Sequence, residues 1–309
     1  DVRCYAVKDQ EGKTLGYLLM DLYARPGKQG GAWVDSERSR HRVGKEVRLP
    51  ITYLTCNFAQ PQGSRPAVWT HDDVITLFHE SGHALHALLS EVDELGVSAF
   101  SSVEWDAIEL PSQFMENFCW DWTVLQALSA HVDTGLPIPR SLYDKMTAAR
   151  NFQSGMQTVR QIEFSLFDVL IHQQHLGLSI AEVMSQLDQV RQEVAVLLPP
   201  SWHRFPHSFS HLFAGGYGAG YYSYKWAEVL SADAYEAFEE AADKMPSANR
   251  VGASTLNPDT GLRFKREILA VGGARPAAES FKSFRGREPK LDALLRHHGM
   301  TPAPTQHRT

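Results

Sequence analysis

The 309-residue chain carries 30 Lys and Arg against 36 Asp and Glu, which gives a formal net charge of −6. This acidic balance offers no basic excess that would make nucleic acid or an anionic membrane its main partner. Hydrophobic residues form 43% of the chain and charged residues 21%, which excludes collagen-like and disordered classes and indicates a globular protein.

The three cysteines, Cys4, Cys56 and Cys119, are too few and too far apart for a disulfide framework or a thiolate metal site. They fit reduced thiols in a cytoplasmic protein. The sequence has neither an apolar run of about 18 residues that could span a bilayer nor the residue order of a signal peptide. We therefore expect a cytoplasmic location. The chain opens without Met on strand-like residues, as a fragment of a longer polypeptide would.

Residues 1–60 predict a small antiparallel sheet near the N-terminus. Residues 1–24 predict a hairpin, because a turn-forming segment at 10–13 separates two extended runs. A further extended run covers residues 47–58. Pro50 lacks an N–H for a sheet ladder, so we expect an edge strand or a strand that starts there.

From residue 70 to about residue 300 the hydrophobic period changes to 3.6, which predicts a mainly helical region. The first helix is expected over 71–92, since Thr70 and Asp73 resemble a capping box. A second helix is expected to begin near Leu110 and to continue through Leu125. Further amphipathic helices are predicted over residues 140–176, 179–197 and 221–244.

The first helix contains the segment HESGH at residues 79–83, an HExxH pattern. His79 and His83 lie on one helix face, so both imidazoles can bind a single metal ion. Glu80 can lie beside a metal-bound water and take its proton as the water attacks a carbonyl. Because the pattern falls inside a capped, periodic helix, a metal site is favoured over chance occurrence.

A third ligand has to come from another segment. The positions three and six residues past His83 hold His86 and Leu89, not the Gly and His of an extended zinc motif. The carboxylates considered are Glu91, Glu94, Glu104, Glu109 and Glu116. Glu91 is poorly placed because a straight helix cannot wrap around its own ion. Glu109, at the start of the second helix, is our choice.

Several segments resemble the thimet oligopeptidase family of zinc peptidases. They are, beside the HExxH helix, MDLYAR at 20–25, YLTCNF at 53–58, DAIELPSQFMEN at 106–117 and HLFAGGYGAGYYSY at 211–224. The resemblance implies a mainly α, multi-helix, zincin-like catalytic domain over residues 1–309. It also implies one Zn²⁺ held by His79, His83 and Glu109, with Glu80 as general base. Ser81 departs from the family, whose members commonly have Phe there.

The resemblance further implies roles for the aromatic loop. The positions that match substrate and transition-state binding in the family are His211, Tyr217 and Tyr224. A neutral tyrosine hydroxyl suits this role, since it donates a hydrogen bond without carrying a charge near pH 7. Gly216 and Gly218 would let the loop move over the substrate, and Tyr221 would assist binding. The competing interpretation is an aromatic loop that only packs on the core.

Two more carboxylates are candidates for orienting a ligand histidine. Asp106 lies three residues before Glu109 and could accept a hydrogen bond from the distal ring nitrogen, which would fix the tautomer. Glu116 repeats that helix face seven residues after Glu109. The alternative for both is a solvated or helix-capping carboxylate.

The sequence thus predicts a zinc endopeptidase that hydrolyses short, unstructured peptides by metal-activated water. Members of the family are about twice as long as this chain. We therefore expect an absent N-terminal half of the same polypeptide to be a partner and to form the opposite wall of a substrate channel. Two alternatives stay open: a dipeptidyl carboxypeptidase of the same family, and a non-catalytic helical fragment that binds a peptide or a partner chain.

Overall fold

The computed structural model describes residues 2–173, 177–244 and 254–300. Six strands come first: β1 Arg3–Lys8, β2 Thr14–Tyr23, β3 Trp33–Arg38, β4 His41–Val43, β5 Glu46–Arg48 and β6 Ile51–Phe58. The α-helices that follow are α1 His71–Leu89, α2 Leu110–Glu116, α3 Trp122–Leu128, α4 Arg140–Ala149, α5 Ser154–His172, α6 Ile180–Val194, α7 Ser210–Phe213, α8 Ser223–Asp243, α9 Pro258–Phe264, α10 Ala277–Arg285 and α11 Asp292–His297. The prediction of a mainly helical domain with a small N-terminal sheet is confirmed.

The sheet is mixed and not wholly antiparallel as predicted. Its four strands lie in the order β1-β2-β6-β3, and β4 pairs with β5 in a separate ribbon. The predicted hairpin of β1 and β2 is present, but β2 and β6 run parallel, with Leu18 opposite Thr52. Strand β6 pairs on both sides and is therefore no edge strand. The other alternative, a strand that starts at this proline, is confirmed: β6 begins directly after Pro50, so the missing N–H does not interrupt the ladder. The single run predicted over residues 47–58 is divided, because β5 pairs with β4 in the separate ribbon.

Helix α1 packs on this sheet and begins as predicted. The capping box of Thr70 and Asp73 is formed, and Ala84 and Leu88 bury against Leu54 and other residues of β6. The helix ends at Leu89, three residues earlier than predicted. Ser90 follows as its C-cap.

The predicted continuous helix through Leu125 is interrupted. A 3₁₀ turn covers Asn117–Trp120, and the Asp121 side chain then caps α3 by accepting two backbone N–H bonds. The main core lies around this break, where Phe114 stacks on Phe264 and Phe118 packs against Tyr235. Local periodicity continues across the break, but the cap at Asp121 starts a new helix.

The segment predicted as one helix over 140–176 forms two helices, α4 and α5. Gln153 between them has a left-handed backbone with φ 57°, which no α-helix accommodates. Residues 174–176 lie outside the described residues. Helix α6 begins at a capping box of Ser179 and Glu182 and ends at Val194, three residues before its predicted end. Among the helices of the described part of the chain, none combines the length and apolar character needed to cross a membrane.

Candidate metal centre

Two helices that approach closely bring together the predicted metal ligands. A Cβ atom built on Gly82 of α1 would lie 2.3 Å from the carbonyl oxygen of Pro111 in α2, so only glycine permits this contact. The contact places Glu109, the residue before α2, beside the two histidines of α1. His79 Nε2 lies 3.3 Å and His83 Nε2 lies 3.0 Å from Glu109 Oε2.

The three side chains form a compact donor set. Their ligand atoms all lie within 4.8 Å of one another, and no other group of three His, Cys, Asp or Glu within residues 2–173, 177–244 and 254–300 is as close. Donor atoms around a tetrahedral zinc ion, bound at 2.0–2.1 Å, are separated by about 3.4 Å. Two imidazoles and one carboxylate are also the ligands of many catalytic zinc sites. Both the distances and the chemistry of these donors therefore fit Zn²⁺.

Glu109 is 2% exposed and held from three sides. Ser112 Oγ donates to its Oε2 at 2.9 Å, and the Tyr217 hydroxyl donates to its Oε1 at 2.8 Å. Burial would raise the pKa of Glu109, but its bonds to His79 and His83 outweigh burial and hold that pKa well below the usual range. The group is therefore a fixed carboxylate at neutral pH.

The ring of His79 is oriented by Glu116, whose Oε1 lies 2.6 Å from Nδ1. With Nδ1 engaged in this way, Nε2 faces Glu109. Burial lowers the pKa of His79, but the bonds to Glu109 and Glu116 outweigh it and raise the pKa to about 10. The negative field that stabilises a proton on this ring also favours a bound cation. Asp106 makes no contact with His79 or His83 among the described residues; burial and the nearby Asp106 carboxylate raise the pKa of the Tyr222 hydroxyl.

Glu80 is 5% exposed on α1, next to His79. Its Oε2 atom is buried and has no hydrogen-bond partner among the described residues. Burial raises the pKa of this carboxyl, and the neighbouring histidines oppose that rise. Buried carboxylate oxygens are nearly always hydrogen-bonded, so a free one beside a metal-binding trio is a place for a water or a ligand.

The aromatic loop reaches this centre. The rings of Tyr217 and Tyr224 stack with centroids 4.9 Å apart, and His211 lies 5.9 Å from the Tyr224 ring. Gln113 of α2 donates to the Tyr224 carbonyl at 3.0 Å, which joins the loop to the helix that follows Glu109. Burial raises the pKa of both tyrosines and lowers that of His211, so all three side chains are neutral at pH 7.

The remaining predicted loop residues differ in their surroundings. Tyr221 is 8% exposed, packs on Phe209 and donates to Gln161 Oε1 at 3.0 Å. Gly216 has φ +81°, a left-handed backbone that favours glycine. A Cβ atom on Gly218 would lie 3.1 Å from His172 Nε2. The structure therefore shows a backbone or packing reason for glycine at both positions.

Sequence reasoning did not identify the residue that anchors this loop. Asp168 of α5 is fully buried and accepts backbone N–H bonds from Ala219 at 2.8 Å and from Tyr221 at 2.9 Å. Its Oδ1 also lies 2.9 Å from His172 Nδ1. The available signal was the single acidic residue in the apolar run FSLFDVLI at 164–171. An isolated acid at such a position requires buried partners.

Comparison with known proteins gives three kinds of similarity. The profile of Peptidase family M3 matches residues 1–300. Oligopeptidase A of Salmonella typhimurium is 47% identical over 301 residues, which cover 97% of this chain and 42% of that protein. Dipeptidyl carboxypeptidase of the same species is 32% identical over 301 residues, with 97% and 42% covered. The solved structure of PZ peptidase A with an inhibitor shares the fold, with a TM-score of 0.57 at 14% identity over 91% of this chain and 43% of that one. The chain spans about two fifths of the length of these proteins.

Proposed function

This chain belongs to peptidase family M3, and on that premise we propose that it is a zinc-dependent endopeptidase that hydrolyses short, unstructured peptides. The observation that carries the proposal is the convergence of His79, His83 and Glu109 beside the unpartnered oxygen of Glu80. A site of this kind keeps a position for water and substrate between a metal and a base.

When bound by the three ligands, a zinc ion would supply a Lewis acid and lower the pKa of a coordinated water. The chain's own residues perform the other tasks. Glu80 Oε2 is free to accept the proton of an attacking water and to pass it to the leaving amine. Glu116 keeps the Nε2 atom of His79 directed at Glu109.

The aromatic loop would stabilise the negative charge that develops on the substrate carbonyl oxygen. Tyr217 and Tyr224 are neutral donors held next to the ligand set, and His211 lies beside Tyr224. The Tyr217 hydroxyl bonds Glu109 in this structure, so it has to exchange that acceptor for substrate during the reaction. Asp168 holds the backbone between the two tyrosines.

The similarity to a dipeptidyl carboxypeptidase supports a second candidate of the same chemistry, an exopeptidase that removes C-terminal dipeptides. Peptides with an amidated C-terminus separate the two, because an endopeptidase continues to cleave them. The N-terminal half expected as a partner and the cytoplasmic location both stay predictions.

The experiment that tests the proposal compares zinc content and peptide hydrolysis in the unmodified protein, Glu80→Gln and Ser81→Ala. We expect one zinc ion per chain in all three. Loss of a general base lowers turnover by about 10²- to 10⁴-fold, and this loss is expected for Glu80→Gln only. Ser81 is the matched control, because its hydroxyl bonds the Leu77 carbonyl within α1. Zinc binding without any hydrolysis would favour the non-catalytic alternative, and full activity of Glu80→Gln would refute the mechanism.

A further inference from the structure

A cavity of about 600 Å³ adjoins the metal centre. Its lining includes Tyr221 and Tyr224 of the aromatic loop and Glu116, which bonds the ligand His79. Much of the remaining wall is made of amide and hydroxyl side chains, among them Gln157 and Thr158. A volume of this size lies within the range of small-ligand pockets, and the amide and hydroxyl groups of the wall can form hydrogen bonds with a peptide backbone.

Lys225, His297 and His298 of this wall each contact a carboxylate. Lys225 pairs with Glu228, and His298 Nε2 lies 2.9 Å from the same carboxylate. His297 Nε2 lies 3.2 Å from Glu239 Oε1. Each of these three side chains therefore already has a carboxylate in contact.

Arg150 is the exception. Its guanidinium lies over the ring of Trp120 at 4.6 Å, and it forms no ion pair or side-chain hydrogen bond with any described residue. Residues 174–176, 245–253 and 301–309, which lie outside the described residues, contain no Asp or Glu. Among the described residues the guanidinium therefore has no carboxylate partner, and it is a half-buried cation at the cavity wall.

Burial lowers the pKa of Arg150, because removing the guanidinium from water disfavours its charged form. Glu239 and Glu116 oppose this through charge alone, without a hydrogen bond. A guanidinium removed from water is stabilised best by a carboxylate that accepts two parallel N–H bonds. The contact of the guanidinium with the Trp120 ring face does not use its N–H groups, so they can donate to such a carboxylate.

We propose that Arg150 forms an anion subsite of the peptide-binding cavity and binds a carboxylate of the peptide itself. The inference rests on the proposed function and adds a substrate class to it: peptides that carry a negative charge at a set distance from the cleaved bond. The carboxylate comes either from the peptide C-terminus or from an Asp or Glu side chain. The first source favours exopeptidase cleavage and the second an endopeptidase with an acidic preference.

The test uses binding so that turnover does not enter. Zinc-loaded protein with the Glu80→Gln change is titrated with peptides of equal length that differ only in charge: a doubly blocked neutral peptide, one with a free C-terminal carboxylate, and a blocked series with Glu at each position in turn. We expect at least one anionic peptide to bind about tenfold more tightly than the neutral one, since charged hydrogen-bonded pairs contribute this much.

Adding Arg150→Gln should remove that preference and leave the affinity for the neutral peptide unchanged, while Arg150→Lys should retain part of it. The matched control is Arg140→Gln, because Arg140 also lies over an aromatic ring, Trp122, but pairs with Asp144 and is not part of this cavity. Melting temperatures of all variants establish that they are folded.

Three results overturn the proposal. One is equal affinity for neutral and anionic peptides in the protein with Arg150. Another is a charge preference that persists in Arg150→Gln, and the third is an equal loss for all peptides in that variant. If zinc binds and the unmodified protein cleaves peptides, these results reject the subsite alone. A protein that binds neither zinc nor peptide overturns the proposed function and the subsite together.

Discussion

Replacing Glu116 with alanine tests how the metal centre is oriented. In the structure Glu116 Oε1 lies 2.6 Å from Nδ1 of His79, and Nε2 of the same ring faces Glu109 Oε2 at 3.3 Å. Without the acceptor, the ring is free to take the other tautomer or to rotate. Either change removes a correctly placed ligand atom from part of the population.

The expected magnitude follows from the exposure of this contact. Loss of such an orienting partner lowers metal affinity by about 10- to 100-fold, or about 1.4 to 2.7 kcal/mol. The Glu116 side chain is 34% exposed, so water replaces part of the lost acceptor. We therefore expect a loss of about 10- to 30-fold for Glu116→Ala. Glu116→Gln keeps an oxygen that accepts from Nδ1 and should lose only about threefold.

Zinc affinity is measured by competition with a chelating fluorophore at constant pH. The control is Asp106→Ala, since the Asp106 carboxylate lies near the Tyr222 hydroxyl and contacts neither His79 nor His83 among the described residues. Its zinc affinity should stay within about twofold of the unmodified protein. Equal losses for the Asp106 and Glu116 variants, or unchanged affinity in Glu116→Ala, would refute the reasoning.

Three further changes test other parts of the structure. Gly82→Ala forces α1 and α2 apart, because its Cβ would lie 2.3 Å from the Pro111 carbonyl oxygen. Urea unfolding should show that the free energy of unfolding falls by about 1–3 kcal/mol. Gly155→Ala, whose Cβ meets nothing within 4 Å, should show no such fall. Asp168→Asn weakens the anchor of the aromatic loop and should lower kcat/KM by about tenfold with zinc affinity unchanged; a parallel loss of zinc would contradict the anchoring role. Burial raises the pKa of the Cys56 and Cys119 thiols to about 12, so only the exposed Cys4 should react rapidly with a disulfide reagent at pH 8. Rapid reaction of a second thiol in the folded protein would contradict the burial of these two.

The features that the sequence predicts well are those set by neighbours along the chain. The start of α1 follows from the local geometry of Thr70 and Asp73, and the relation of His79 to His83 follows from the helical repeat. The sequence predicts the ends of helices and the breaks between them less accurately. The cap at Asp121 and the left-handed residue Gln153 interrupt segments whose hydrophobic period alone predicts continuous helices.

The parallel pairing of β2 with β6 was not predicted, because hydrogen bonds between strands distant in sequence leave no periodic signal. Contacts between distant segments also decide the composition of the candidate metal centre, and the sequence pattern does not show them. Spacing supplied two candidate ligands, His79 and His83, and five carboxylates as candidates for a third, and the contact of Gly82 with Pro111 brings Glu109 to the two histidines. It is likewise packing that puts Glu116, rather than Asp106, on His79 and that buries Asp168 under the loop.

By itself, the sequence of this protein determined the helix that carries His79, Glu80 and His83, because in a helix the spacing of residues fixes their relative positions. Only the tertiary structure decided which distant carboxylates complete and orient that pair and which cation is left without a partner. The physical reason is that hydrogen bonds and ion pairs between separate segments are sensitive to changes in distance of about a few tenths of an ångström. The packing of whole helices sets those distances.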